Sequence, residues 1–430
     1  MALFCGGLLL AWTIENRGHA RLEAQLALMR GHPRPERFDQ IFSQATYADN
    51  AAYPWQESHN IQPESKFAFN RIRKPDDILL LSDEDKAAVR QHIIESSGVL
   101  ELLHEAANRP QLSMFSSPSQ PVDDWKFMKL SGITMQVKIL CVYRCLLAHE
   151  SGETSVAIDS ILLGAGLADK LSDLPMSISI ALATLVHSSI LPLAEKVLPG
   201  ATLDEATLLK LIERLDADAY RKGKYLSLEH ERLIMRAYSK TDEGRFAMME
   251  IYTPGGLTGW RTWPGVRHFS QNFFIHHALY DLTRAQRLLG IQADIEREPY
   301  YKSLALRKKQ DAEIASIKSE RMWAVTVRNA NRPRTPQEIR DLSRVELIRA
   351  ALQCKRYYLA HGSYPASLSD LVPTYPNTQP LDSLTGTHFE YQRNEAGTTF
   401  TMSPGLPKPP NKSASKSATS RFVWREPETN

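Results

Sequence analysis

Cysteine is scarce in this chain, with four in 430 residues: Cys5, Cys141, Cys145 and Cys354. Cys141 and Cys145 stand four apart on a predicted helix and share a face. No His or Cys follows them at zinc-ligand spacing. The pair reads as two buried thiols, with a disulfide or metal role as the alternative. An excess of one charge is missing too. With 52 basic and 49 acidic residues, the formal net charge is +3. A dedicated nucleic-acid binder shows a strong basic stripe, so nucleic acid is not the expected partner. Catalytic signatures are also lacking. There is no Gly-x-Ser-x-Gly elbow, which argues against the commonest serine hydrolase layout. His104-Glu105 and His149-Glu150 begin like a zinc-protease motif, but neither has a second His three residues later. No cofactor or metal is implied, and an enzymatic role is left open but disfavoured.

Among the features present, 43% hydrophobic and 23% charged residues call for a globular core. The clearest local signature lies between Thr335 and Tyr391. Thr335 can cap a helix, Pro336 fits its first position and Glu338 can reach back to the cap. Ile339, Leu342, Val345, Ile348 and Leu352 then fall on one apolar face. Arg340, Arg344, Arg349 and Lys355 fall opposite and read as a solvated face. Gly362 ends the helix. Tyr364-Pro365 forces an extended turn, and Val372-Pro373 closes a short helical turn. Strands are predicted over 387–392 and 398–402, with Gly397 turning between them.

This stretch resembles the soluble part of type II secretion pseudopilins of the major-pseudopilin kind. The matching residues are Ala350-Ala351-Leu352, Tyr357-Tyr358, Ala360 to Pro365, Leu368, Leu371-Val372-Pro373, Leu381-Asp382, Thr385-Gly386 and Phe389-Glu390-Tyr391. The likeness implies a long helix packed on a β-hairpin and a link to secretion. The family's calcium loop is replaced here by Ser403-Pro404-Gly405-Leu406-Pro407. That run offers no carboxylate for a hard cation. A wider resemblance, to membrane-anchored proteins of the planctomycete and verrucomicrobial type, rests on the same tail, on Asp49 to Tyr53 and on Glu229-His230-Glu231-Arg232. It implies an architecture and no activity.

The expected fold is mainly α, an irregular helical bundle or solenoid with a small α+β pseudopilin-like module at its end. Residues 1–31 form an apolar anchor and amphipathic helix. Residues 32–81 form an irregular strap, with Tyr53 and Trp55 plugged into the body. Residues 82–329 form the helical body, 330–403 the module and 404–430 a disordered tail, in which Phe422-Val423-Trp424 either docks back or stays free. Ala2–Trp12 is an apolar run of 11 residues, against the ~20 that span a bilayer. It reads as an anchor whose first turns lie upstream, or as a buried N-terminal helix. Arginines behind it point the body to the cytoplasmic face. The resemblance points it outside the cytoplasm, which is the reading preferred here.

The remaining motifs read as structure first. His187 is expected to be a satisfied core histidine. Glu229-His230-Glu231 and Arg307-Lys308-Lys309 read as exposed charge on helices. The loop 253–265 is rich in glycine but lacks the Gly-Lys-Ser/Thr ending that cradles phosphate. Its Trp260, Arg261 and Trp263 form the candidate ligand site, a stacking surface for a sugar or aromatic group. The alternative is a surface loop pinned by two buried indoles. Three functions follow. The first is a membrane-anchored, non-enzymatic envelope scaffold that binds protein partners. The second is a glycan- or peptide-binding protein using Trp260 and Trp263. The third is a hydrolase with a site assembled from distant residues.

Overall fold

A computed structural model describes residues 35, 40, 45–58, 60–61, 75–113, 137–240, 288–315, 336–372, 380–382, 384–404 and 422–425. These residues are mainly helical, with one small antiparallel sheet. The N-terminal segment 1–31 and the loop carrying Trp260, Arg261 and Trp263 lie outside them.

The strap enters at α1, Ala52–Ser58. Asn50 fixes it: its amide donates to Ser113 O at 2.7 Å, and its Oδ1 accepts from Ser113 N at 3.0 Å and Ala52 N at 2.9 Å. Trp55 is the expected plug, 2% exposed. Tyr53 is not: it is 41% exposed, with its ring tilted against that of Tyr47 outside.

Ser82 caps α2, Asp83–Glu95, by accepting from Asp85 N. The chain breaks at Ser96 and resumes as α3, Ser97–Asn108. At the break Ser96 Oγ donates back to His92 O at 2.7 Å.

A π-helical turn, Lys138–Tyr143, leads into α4, Arg144–Glu150. Gly152, at φ 77°, turns the chain into α5, Thr154–Asp173. Helix α6, Ser177–Val197, returns alongside it. The segment Ile178–Gly200 is long and apolar enough to cross a membrane, but 56% of its apolar window is buried within the protein. Here it serves as the central strut of the bundle. Asp204 caps α7, Glu205–Arg214, by accepting from Thr207 N at 2.7 Å. Helix α8 spans Ala217–Lys240. Residues 288–297 are helical, and α9 is Tyr300–Ala315.

The C-terminal helix α10, Pro336–His361, is not hung behind this trunk. It packs on α6, α7 and α8, and one hydrophobic core runs from Ala51 to Trp424. Leu342, Val345, Ile348 and Leu352 are buried as the pattern requires, and Leu347, Ala350, Ala351 and Cys354 are buried as well. A solvated opposite face is therefore wrong for three of its four residues. Arg344 and Arg349 are half-buried and paired, and Lys355 is buried with its ammonium 5.0 Å from the Tyr358 ring; only Arg340 is exposed.

After Gly362 (φ 73°) comes the keystone of the module. Tyr364 is 0% exposed, with its ring against Tyr358 and Phe400. Its N–H donates to Gly397 O, and its carbonyl accepts from Arg393. Tyr391 Oη donates to Pro365 O at 2.8 Å. The sheet is β1 (Glu390–Arg393), β2 (Thr399–Ser403) and β3 (Phe422–Arg425), in that order. The third strand corrects the expectation of a disordered tail: within 404–430, residues 422–425 pair with β2 and bury Trp424 completely.

Among the described residues, Cys141, Cys145 and Cys354 are free, buried thiols. Burial raises all three pKa values, that of Cys145 to about 12.

Helices α5 and α8 approach closely at Gly223. A Cβ there would sit 2.5 Å from the backbone oxygen of Ser172, which cannot swing away as a side chain can. Gly223→Ala is expected to cost about 1–3 kcal/mol of stability by forcing α5 and α8 apart. Gly200→Ala, where a Cβ meets nothing, should be neutral within about 0.5 kcal/mol. Urea midpoints of the two variants measure the difference; equal midpoints would contradict this crossing.

Candidate functional site

The expected site residues Trp260, Arg261 and Trp263 lie outside the described residues, so the site is built from what the fold brings together. The richest polar constellation is the seam where α10 enters the trunk. Helix α6 supplies Thr184, His187 and Ser188. The start of α8 supplies Tyr220, Arg221 and Lys224, with Asp216 just before it. Helix α10 brings Glu338, Asp341, Arg344, Glu346 and Arg349.

These side chains pair across the seam. The Tyr220 hydroxyl lies 2.9 Å from Thr184 Oγ1 and donates to Glu338 Oε1 at 3.3 Å. Ser188 Oγ donates to Asp341 Oδ2 at 2.7 Å. Arg221 bonds Glu346 at 3.2 Å and Asp218 at 2.6 Å. Arg349 meets Asp216 at 3.0 Å, and Arg344 meets Glu195 at 3.1 Å. Burial holds Glu195 above the usual carboxylate range, despite the guanidinium beside it. Pro192 lies inside α6 and has no N–H for the Ser188 carbonyl.

A small cavity lies within this seam, lined by Thr184, His187, Asp216, Tyr220, Glu338 and Asp341 with Ala217, Leu342 and Val345. His187 is 7% exposed, and its Nε2 has no hydrogen-bond partner among the described residues. The expectation of a buried histidine holds, but that of a satisfied one does not. Burial alone pulls its pKa down to about 4. The cavity measures about 10 Å³, room for one water molecule. A small-molecule site needs roughly 300–1,000 Å³. Size therefore decides against a substrate pocket: the seam can hold helices in register and sense protonation, but it cannot enclose a reactant.

A second polar region corrects two further expectations. Glu229 and Arg232 are buried and paired at 2.6 Å, and His230 is 6% exposed, so this is not an exposed charge cluster. Arg232 also donates to Pro35 O, tying α8 to the start of the strap. Arg307 is 7% exposed and reaches Glu296, itself 0% exposed, at 3.4 Å, while Lys308 and Lys309 face solvent. Elsewhere, Asp159 joins His104 at 3.2 Å and Arg144 at 2.7 Å on the trunk surface. Hydrogen bonds and charge from these two partners lower its pKa, although burial opposes them. Among the described residues, no group of three or more His, Cys, Asp or Glu could hold a metal ion.

Sequence reasoning passed over Glu338 and Asp341 as seam residues. Their signal was their spacing: Glu338, Asp341, Val345, Ile348 and Leu352 step by three or four, which puts two acids in an apolar stripe. Comparison with protein-family models, with curated sequences and with solved structures yields no match.

His187 gives the seam a pH dependence of known sign. Its folded pKa lies below the unfolded value of 6.5. The stability that depends on its neutral form is complete above pH 6.5 and is lost as pH falls toward 4. Wild type should lose roughly 3 kcal/mol more than His187→Leu between pH 7 and 4. Urea unfolding of both proteins across that range checks it. Taking the difference cancels the other titrating groups, such as His230 and Asp169, which both proteins share. Parallel stability curves would show that His187 is not buried as described.

Proposed function

We propose that the chain is a non-enzymatic scaffold of the cell envelope, anchored to the membrane by its N-terminal segment, with the body outside the cytoplasm. Its trunk is an irregular helical bundle that offers faces to protein partners. Its tail is a pseudopilin-like module fused to that trunk. The observation that carries this reading is the seam at α10. A helix of the kind that opens a pseudopilin's soluble part is here held by Glu195, Asp216, Arg221 and Lys224 of its own trunk. A module held in this way is a fixed part of a larger body, not a subunit free to stack into a fibre. The size of the seam cavity supports a role in holding and binding over one in catalysis.

The test is fractionation of the full chain expressed in a bacterial host. The wild-type protein should sediment with membranes and resist a carbonate wash. A variant lacking residues 1–31 should be released to the soluble fraction. Protease added to intact spheroplasts should degrade the wild-type body. A full-length protein found wholly in the soluble fraction overturns the anchored reading, and one protected from protease in spheroplasts overturns the orientation.

A further inference from the structure

Far more chain joins the third strand to its partner than their pairing needs. Strand β2 ends at Ser403, β3 begins at Phe422, and Met402 faces Phe422 in the ladder. A two-residue loop closes an antiparallel pair of this kind. The sequence instead supplies about 18 residues, enough to reach about 60 Å when extended. The contrast with the other side of the sheet is sharp. β1 and β2 are joined by a tight turn in which Asn394 N donates to Thr399 O and Gly397, at φ 70°, donates to Asn394 O.

The seat of β3 is compact and specific. It consists of the edge of β2, the face of Phe400 and the trunk turn Leu198–Gly200. Into it goes Trp424, 0% exposed, with its indole stacked on Phe400 at 6.0 Å and 10°. The neighbouring Val423 points outward and is 39% exposed. The strand is therefore a four-residue edge with one interior anchor, separated from its partner strand by about 18 residues of sequence.

We infer that this seat accepts the β3 strand of a second copy of the chain, and that reciprocal exchange gives a strand-swapped dimer. Closed and exchanged forms make the same ladder and the same Phe400–Trp424 stack, so only the tether separates them. A tether longer than its span loses effective concentration by about the −3/2 power of its length. The advantage of the chain's own strand thus shrinks to the millimolar range, about 1 mM. Copies held together at comparable density exchange strands. No other partner matches the seat as well, because the complementary strand is the chain's own.

The experiment uses full-length chains carrying Cys5→Ser, which removes the one cysteine not found buried. Thr401 and Val423 face each other across β2 and β3. One chain carries Thr401→Cys and a second carries Val423→Cys. Mixed near 1 mM under mild oxidation, they should form a disulfide-linked dimer about tenfold above either variant alone, falling steeply on dilution. Adding Trp424→Ala to the second chain should remove that excess. A single chain carrying both cysteines should close on itself at micromolar concentration, which checks the register. If that chain closes while the mixture stays at background, the strand never leaves its own copy and the inference fails. If neither cross-link forms, β3 does not occupy this seat and the inference fails as well.

Discussion

From Asp341 to Lys355 the C-terminal helix has almost no side turned to water, and the rest of the architecture depends on that. A helix covered by a trunk on one flank and a sheet on the other must bury its polar residues along with its apolar ones. Buried polar groups cost free energy unless they are hydrogen-bonded or paired. Asp341 takes Ser188, Glu346 takes Arg221, and Arg344 and Arg349 take carboxylates of the trunk. These pairs specify the register of the helix more than they stabilise it. Half-exposed ion pairs contribute at most about 1 kcal/mol each, while a one-turn slip would leave several charges buried without partners.

The same logic extends through the trunk. Glu229–Arg232 and Glu296–Arg307 are ion pairs almost wholly removed from solvent. Apolar replacements of similar volume are often as stable as such pairs, but removing one partner alone costs about 3–5 kcal/mol. Glu296–Arg307 joins two helical segments, and Arg232 reaches from its helix to Pro35 of the strap, so these charges act as keys to the arrangement of the chain. The apolar core, continuous from the strap to β3, supplies the driving force and accepts many arrangements equally.

The helices were legible because their apolar spacing and caps are local properties. Ser82, Gly152, Gly362 and Gly397 do what their sequence context requires. Less legible were features decided by distant neighbours. Arg349 reads as a solvated residue until Asp216, more than a hundred residues earlier, is seen beside it. Glu229 reads as surface charge until its helix proves covered on that side. Trp424 follows a stretch rich in proline, lysine and serine, and nothing local marks it as the cap of a sheet. Of the candidate site, the sequence showed His187 as buried but not its open nitrogen, because partner geometry leaves no trace in residue spacing.

The three interior thiols bear on where such a fold can live. A thiol reacts with oxidants through its thiolate, and burial keeps Cys141, Cys145 and Cys354 protonated at any physiological pH. Spaced through the π-turn, the start of α4 and the face of α10 that meets the sheet, they lie where neither glutathione nor a disulfide-forming catalyst can reach. These three thiols are therefore chemically silent toward the redox poise of their surroundings. They would keep the same covalent state on either side of a bacterial inner membrane, and their chemistry would begin only once the core had opened.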